Sequence, residues 1–202
     1  MLSGPALPEL AALLVAGVLL DLLLGEPRRW HPLVGFGNLV KAIEARLNRG
    51  GRRFSRGLLG WAIAVLPLSL LAWVGTQHAG YLLHVLLLYA CIGLRSLREH
   101  TMPIVDALRA GDLATARTRT SWIVSRDTRE ALEPELAKAG PESLLENGNQ
   151  AVFGTLFWFL VAGGPGALLF RLANTLDAMW GYRNERFNLF GPVAGGLAEA
   201  LE

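Results

Sequence analysis

Glu142-Ser-Leu-Leu-Glu-Asn-Gly-Asn-Gln150 runs straight into the apolar stretch Ala151–Val161, which meets Gly163-Gly-Pro-Gly166 two residues later. A doubly acidic segment that feeds a membrane-grade hydrophobic one puts carboxylates at a bilayer boundary, where they are expensive to keep. As a helix, Glu142, Glu146 and Asn149 fall at i, i+4 and i+7, on one face. Two readings stand. One is a site for a charged ligand or a cation. The other is a solvated helix start, with Pro141 in its first turn and acids favoured by the helix dipole. The Gly-Gly-Pro-Gly break sets the path of the chain beyond Val161. A full span over Ala151–Phe170 puts Arg171, Arg183 and Arg186 outside. A re-entrant pair of half-helices turning at Gly163–Gly166 keeps them inside, and the breaker together with three arginines favours that arrangement.

The rest of the chain agrees with a membrane setting. Of its 202 residues 52% are hydrophobic and 18% charged, too apolar for an ordinary soluble domain. The net charge of +2 is unevenly spread. Lys and Arg cluster between Arg28 and Arg56, between Arg95 and Lys138, and from Arg171 onward. Basic blocks alternating with apolar spans fit the positive-inside rule and argue against nucleic-acid binding. The spans expected are about 7–24, 58–74, 77–94 and 151–170, each near the roughly 20 residues a membrane helix needs. Leu7–Leu24 lacks a basic stretch before it and reads as a retained helix rather than a cleaved leader. Spans two and three form a hairpin with an outer turn around Gly75–Gly80. Pro67 kinks span two. The fold class expected is all-α, a polytopic membrane protein of about four segments forming one domain over 1–202.

Between spans three and four, about 95–150 reads as a cytoplasmic helical loop. Ser96–Arg109 is amphipathic, Asp112 caps Ala114–Val124, and Asp127 or Thr128 caps a helix Arg129–Lys138 that stops at Gly140-Pro141. Cys91, the only cysteine, excludes a disulfide framework within the chain and reads as a small core- or lipid-facing residue. His31, His78, His84 and His100 are scattered, and His78 and His84 read as interfacial. No Walker-type loop, kinase motif or HExxH occurs.

Three further segments gather polar groups. Gly25-Glu-Pro-Arg-Arg-Trp-His-Pro-Leu33 brings Glu26, Arg28 and His31 near Asp21 after the first span; it is a binding turn or an interfacial anchor with Trp30 in the aromatic belt. In Ser125-Arg-Asp-Thr128 an arginine can grip phosphate, and an oxygen ligand can hold Mg²⁺, or the segment is simply a helix cap. Arg171, Asn174 and Asp177 form a polar stripe at three-residue spacing, ahead of Gly181-Tyr-Arg183.

Asp21-Leu-Leu-Leu-Gly-Glu-Pro27 with His31-Pro32, Ser125-Arg-Asp-Thr128, Glu142-Ser-Leu-Leu-Glu-Asn147 and Leu172-Ala-Asn-Thr-Leu-Asp-Ala-Met-Trp-Gly-Tyr-Arg183 occur in this order. Together they resemble the CobD/CbiB family of cobalamin-biosynthesis membrane proteins, the adenosylcobinamide-phosphate synthases, from Leu7 to about Phe190. The resemblance implies an ATP-dependent amide ligase of the bacterial inner membrane with a cytoplasmic active face. Its substrates would be adenosylcobyric acid and aminopropanol or its O-phosphate, with ATP as cosubstrate and Mg²⁺ as cofactor. Membrane lipid, a second copy or other corrinoid-pathway membrane proteins are the remaining partners.

The roles expected derive from that chemistry. Arg126, Arg183 and His31 contact phosphate or substrate. Glu142, Glu146, Asp127 and Asp177 serve as catalytic acids and bases, with Glu146 and Asp127 also holding Mg²⁺. Asn147 and Asn174 position substrate. The chain departs from the family pattern at Glu26 and Gln150, where Asp is usual, and it is shortened after the Gly-Tyr-Arg motif. The competing class is a non-catalytic corrinoid-binding or AmpE-like regulatory membrane protein, or an inactive truncated relative, and a small transporter is the third class.

Overall fold

The structure is a computed structural model that describes residues 7–27, 31–124 and 127–202. Among them every regular element is helical. In chain order these are α1 Leu7–Leu24, α2 Pro32–Leu47, α3 Arg53–Ala79, α4 Tyr81–Cys91, α5 Leu94–Arg109, α6 Leu113–Thr120, α7 Glu133–Gly148, α8 Gly154–Trp180 and α9 Pro192–Glu199. Three helical stretches are long and apolar enough to cross a membrane: Arg53–Ala79, Tyr81–Arg109 and Glu133–Trp180. Leucines on the outer faces of α1, α3 and α4, among them Leu23, Leu71 and Leu82, stand exposed, as on a surface solvated by lipid.

The last stretch is not one rod. A single π-helical turn, Asn149–Phe153, joins α7 to α8. Inside α8 the helix breaks at Ala162 (φ −139°, ψ 19°) and Gly163 (φ 64°, ψ −156°). Beyond the break the chain reverses, so that Gly154 lies against the ring of Phe170, sixteen positions later. A continuous helix would hold those residues about 24 Å apart. Gly163 occupies backbone space that is essentially closed to residues with a side chain.

His84 of α4 secures the turn. Its Nδ1 accepts a hydrogen bond from the Gly164 N–H at 2.9 Å, capping the second limb from a neighbouring helix. Its ring meets Phe159 edge-on. The expected interfacial position for His84 is therefore corrected: it is buried and structural. The signal was the apolar context on both sides of it. His84→Leu leaves the Gly164 N–H orphaned and is expected to lower stability by about 1–3 kcal/mol, read from thermal unfolding in detergent.

Two apolar clusters anchor the hairpin. Its long limb packs Leu172, Leu176 and Trp180 against Phe36, Val40 and Ile43 of α2 and Ala64 and Val65 of α3. Its short limb packs Phe159 with Leu88 and Cys91 of α4 and Leu10 of α1. The basic region after α1 thus contains a helix, α2, that the sequence reading did not place, although Phe36, Val40, Ile43 and Leu47 recur at helical spacing.

Helix boundaries differ from expectation in physically clear ways. α3 runs through Gly75–Ala79, so the outer turn reduces to Gly80 and α4 starts at Tyr81 rather than Gln77. α6 ends at Thr120. Asp112 caps it as expected, accepting from the Thr115 N–H at 3.0 Å. α7 begins at Glu133, where the Glu135 carboxylate accepts the Leu132 N–H, and it continues through Gly140-Pro141. Thr128 and Asp127 do not cap it; the Thr128 hydroxyl donates to the Arg117 carbonyl instead.

One ion pair, its carboxylate buried and its guanidinium largely exposed, ties α2 to the segment after α8. Arg186 grips Glu44 through Nη2 at 2.6 Å and Nε at 3.1 Å. Asn48 donates to both Glu44 Oε1 and the Arg186 carbonyl. The Arg186 guanidinium, ahead of smaller opposing and supporting effects, holds the Glu44 carboxyl below its ordinary value of 4.5. A depressed folded-state value means the pair's stabilisation is complete above the ordinary value and is lost as pH falls through the lower one. Wild type is therefore expected to exceed Glu44→Gln in stability at neutral pH and to converge with it in acid below 4.5, measured by unfolding across pH.

Candidate functional site

The reversal in α8 has one chemical result: it returns the chain to the end where α7 finishes. Glu142, Ser143, Glu146, Asn147 and Gln150 from the α7 side then face Asn174, Asp177, Gly181 and Tyr182 from the long limb, with Ile123 and Val124 closing the wall. Between them lies a cavity of about 570 Å³. Five of the residues expected to act together are gathered here: Glu142, Glu146, Asn147, Asn174 and Asp177.

Each is held by local physics. Ser143 Oγ donates to the Ile123 carbonyl at 2.8 Å, fixing α7 to the turn after α6. Asn147 Nδ2 donates back to the Ser143 carbonyl and Oγ at 2.9 and 2.8 Å, which leaves its Oδ1 for the cavity. Glu142 lies 3.5 Å from Lys138, one turn earlier. Because α7 continues past Pro141, Glu142 and Glu146 lie well inside the helix, so a dipole-favoured first turn does not account for them. Asp177 packs its Oδ1 against Gly181, where any Cβ would collide with it.

Asn174 decides the character of the site. It is 8% exposed, yet neither its Oδ1 nor its Nδ2 has a hydrogen-bond partner. A buried amide left unpaired costs about 1–3 kcal/mol, which argues for a ligand as its partner. The lining is also charge-unbalanced. Glu142, Glu146 and Asp177 contribute carboxylates, and among the described residues none of the lining is Lys or Arg. Glu199 and Glu202 are further acidic neighbours of Asp177. Acids in such proximity favour a cation or an ammonium group between them. Carboxylate and amide oxygens are also the donors Mg²⁺ takes, usually while keeping several waters. Among the described residues no three acidic, His or Cys side chains form a ready-made metal cage. The fit to Mg²⁺ is thus to a partly hydrated ion.

A second cavity, about 290 Å³, adjoins the first and shares Ile123, Ser143, Asn147 and Gln150 with it. Glu26, Ser96, His100, Trp122 and Arg171 line it. Ser96, His100 and Trp122 were not singled out from sequence as site residues; the one-turn spacing of Ser96 and His100 on an amphipathic helix was the available signal. Asp21, near the end of α1, has an architectural part. Asp21 accepts the Arg95 N–H at 2.8 Å, capping α5, while Arg95 Nη1 binds the Leu22 and Leu23 carbonyls that end α1.

The other expected residues lie elsewhere. Asp127 lines a separate recess with Thr128 and Glu135. The Arg129 guanidinium grips its carboxylate at 2.6 Å and holds it down at about 2. It does not share a cavity with Glu146. His31 caps α2, its Nδ1 accepting the Leu33 N–H at 3.2 Å. Arg183 is exposed, one residue beyond Tyr182 of the cavity wall. Arg126, like Ser125, Arg28, Arg29 and Trp30, lies outside the described residues.

Comparison with known proteins agrees. The family model described as CobD/Cbib protein matches residues 14–202. The chain belongs to the CobD/CbiB family. Relatives of this CobD/CbiB chain include the cobalamin biosynthesis protein CobD of Stutzerimonas stutzeri, 52% identical over 93% of this chain and 63% of that protein. The protein of the same name from Chromobacterium violaceum is 50% identical over 95% of this chain and 64% of its own length. The probable cobalamin biosynthesis protein CobD of Pyrococcus furiosus is 38% identical over 91% of this chain and 65% of its own. The chain thus spans less than two-thirds of the length of the curated CobD proteins it matches. No solved structure matches.

Proposed function

We propose that this CobD/CbiB chain carries the site of a cobalamin-biosynthesis ligase that joins a corrinoid carboxylate, that of adenosylcobyric acid, to the amine of aminopropanol or its O-phosphate at the expense of ATP. A carboxylate is a poor acyl donor at neutral pH, and phosphoryl transfer from ATP would give it a leaving group. The amine must shed a proton before it attacks. The observation that carries the reading is the acidic cavity around the unpaired Asn174 amide.

Each cavity group suits a part of that task. Glu146 and Asp177 would bind the ammonium form and accept its proton; Glu142, already near Lys138, would contribute field. Asn147 Oδ1 and the Asn174 amide would orient the amine and the acyl carbonyl. Mg²⁺, held through Glu146 and its own waters while Asp177 takes the amine proton, would supply charge to screen phosphate oxygens. The α8 hairpin is read as re-entrant, its first limb, about 11 residues, reaching only about half of a roughly 30 Å hydrocarbon core. Basic blocks and the cavity would then share the cytoplasmic face, which supports a site at the inner-membrane surface.

The test is an assay of the purified, detergent-solubilised chain for ATP- and Mg²⁺-dependent joining of adenosylcobyric acid to aminopropanol phosphate. A version extended with the C-terminal segment of a full-length relative is run beside it. Product from either supports the reading, and the comparison tells whether residues 1–202 hold the whole site. No product from both overturns it.

A further inference from the structure

We infer that the smaller cavity is an oxyanion subsite built on Arg171, opening onto the acidic cavity but chemically separate from it. For the identity of its ligands this rests on the ligation reading above.

Arg171 projects from the long limb of α8, one turn before Asn174, into the space it shares with Ser96, His100 and Trp122. Guanidinium cannot be neutralised by losing its proton, so a largely enclosed arginine needs acceptors. Its Nε is buried without a hydrogen-bond partner. Of the ion pairs among the described residues, none includes it. Glu26, the one carboxylate among the described residues of the lining, acts on Arg171 through its field without pairing with it, and lies 4.0 Å from the His31 ring.

The walls suit an anion. Ser96 brings a hydroxyl group to the lining, while the Thr101 hydroxyl is spent on the Leu97 carbonyl at 2.7 Å. His100 Nδ1 lies 2.7 Å from the Ser96 carbonyl, a contact only a donor satisfies. That leaves Nε2 as the ring's second polar atom. Asn147 and Gln150 stand where the two cavities meet. Neutral amides repel neither an ammonium on one side nor an oxyanion on the other. A planar, five-donor fork beside the Ser96 hydroxyl recognises carboxylate or phosphate oxygens in pairs. Three ligands could provide them: the phosphate of aminopropanol phosphate, the carboxylate of adenosylcobyric acid, and the phosphates of ATP.

Calorimetric titration of the detergent-solubilised chain with each of these, and with unphosphorylated aminopropanol, distinguishes the sources. Arg171→Gln is expected to weaken at least one oxyanion ligand by about tenfold or more, and aminopropanol by less than about twofold. The ligand that weakens names the source. Arg171→Lys keeps the charge without the fork and is expected to weaken the same ligand by several-fold; it carries the test if the glutamine variant does not fold. If the wild-type chain binds its ligands and the variants leave every oxyanion ligand unchanged, or weaken aminopropanol equally, the subsite is overturned and the ligation reading stands. If neither the chain nor its extended version binds any of them, both fall.

Discussion

Glu146→Gln is expected to reduce amide formation by about 10²–10⁴-fold, the range spanned by loss of a positioned acid or base. The substitution preserves side-chain volume and removes one negative charge from the cavity that also holds Glu142 and Asp177. Helix α7 is fixed elsewhere, by Ser143 on the Ile123 carbonyl and by Leu136 in the cluster with Ala107 and Ala116, so the fold and membrane insertion should persist. Far-UV circular dichroism and membrane fractionation check that. Glu142→Gln is expected to cost less, because Lys138 already offsets its charge and its side chain is half exposed. Retained turnover in Glu146→Gln would remove that carboxylate from the chemistry.

The second large effect is structural. Gly163→Ala is expected to destabilise the protein by about 3 kcal/mol or more and to abolish activity with it. Two penalties coincide. An L side chain is strained at φ 64°, ψ −156°, and its Cβ would stand 2.5 Å from both Cε1 and Nδ1 of His84. The second collision strikes the ring that caps the long limb at Gly164. Thermal unfolding in detergent and protease sensitivity near the turn read the outcome. Unchanged melting would mean that the reversal does not depend on this geometry.

These two residues also mark how far the sequence could be read. The hairpin was legible because Gly163-Gly-Pro-Gly166 interrupts an apolar run, and few other arrangements keep Arg171, Arg183 and Arg186 beside the other basic blocks. The grouping of Glu142, Glu146, Asn147, Asn174 and Asp177 was legible as motifs in order, each presented by helical spacing. What was hidden is long-range. Nothing in Asp21 announces that it caps a helix starting at Leu94. The burial of His84 depends on a partner eighty positions away. Helix α7 passes through Gly140-Pro141 although local preference favours a stop, because Leu136, Ala139 and Ser143 are buried on one face across it. For Asp127 the motif left metal binding and a local Asp–Arg pair both open, and the structure shows the pair with Arg129, two residues on.

The π-helical turn at Asn149–Phe153 carries a consequence of another kind. Such a turn holds one residue more than an α-helical path needs. Deleting one residue there would let α7 run into α8 in regular register, with no break and hardly a change in length. The faces on either side would be kept, because the wide turn already takes up the surplus residue. A residue added to a regular turn, with no widening to absorb it, would instead rotate everything on the α7 side by about 100° and swing Glu142, Glu146 and Asn147 away from Asn174 and Asp177. For this short stretch the wide turn is a register device: it lets the count of residues change by one while the two acidic side chains keep their facing.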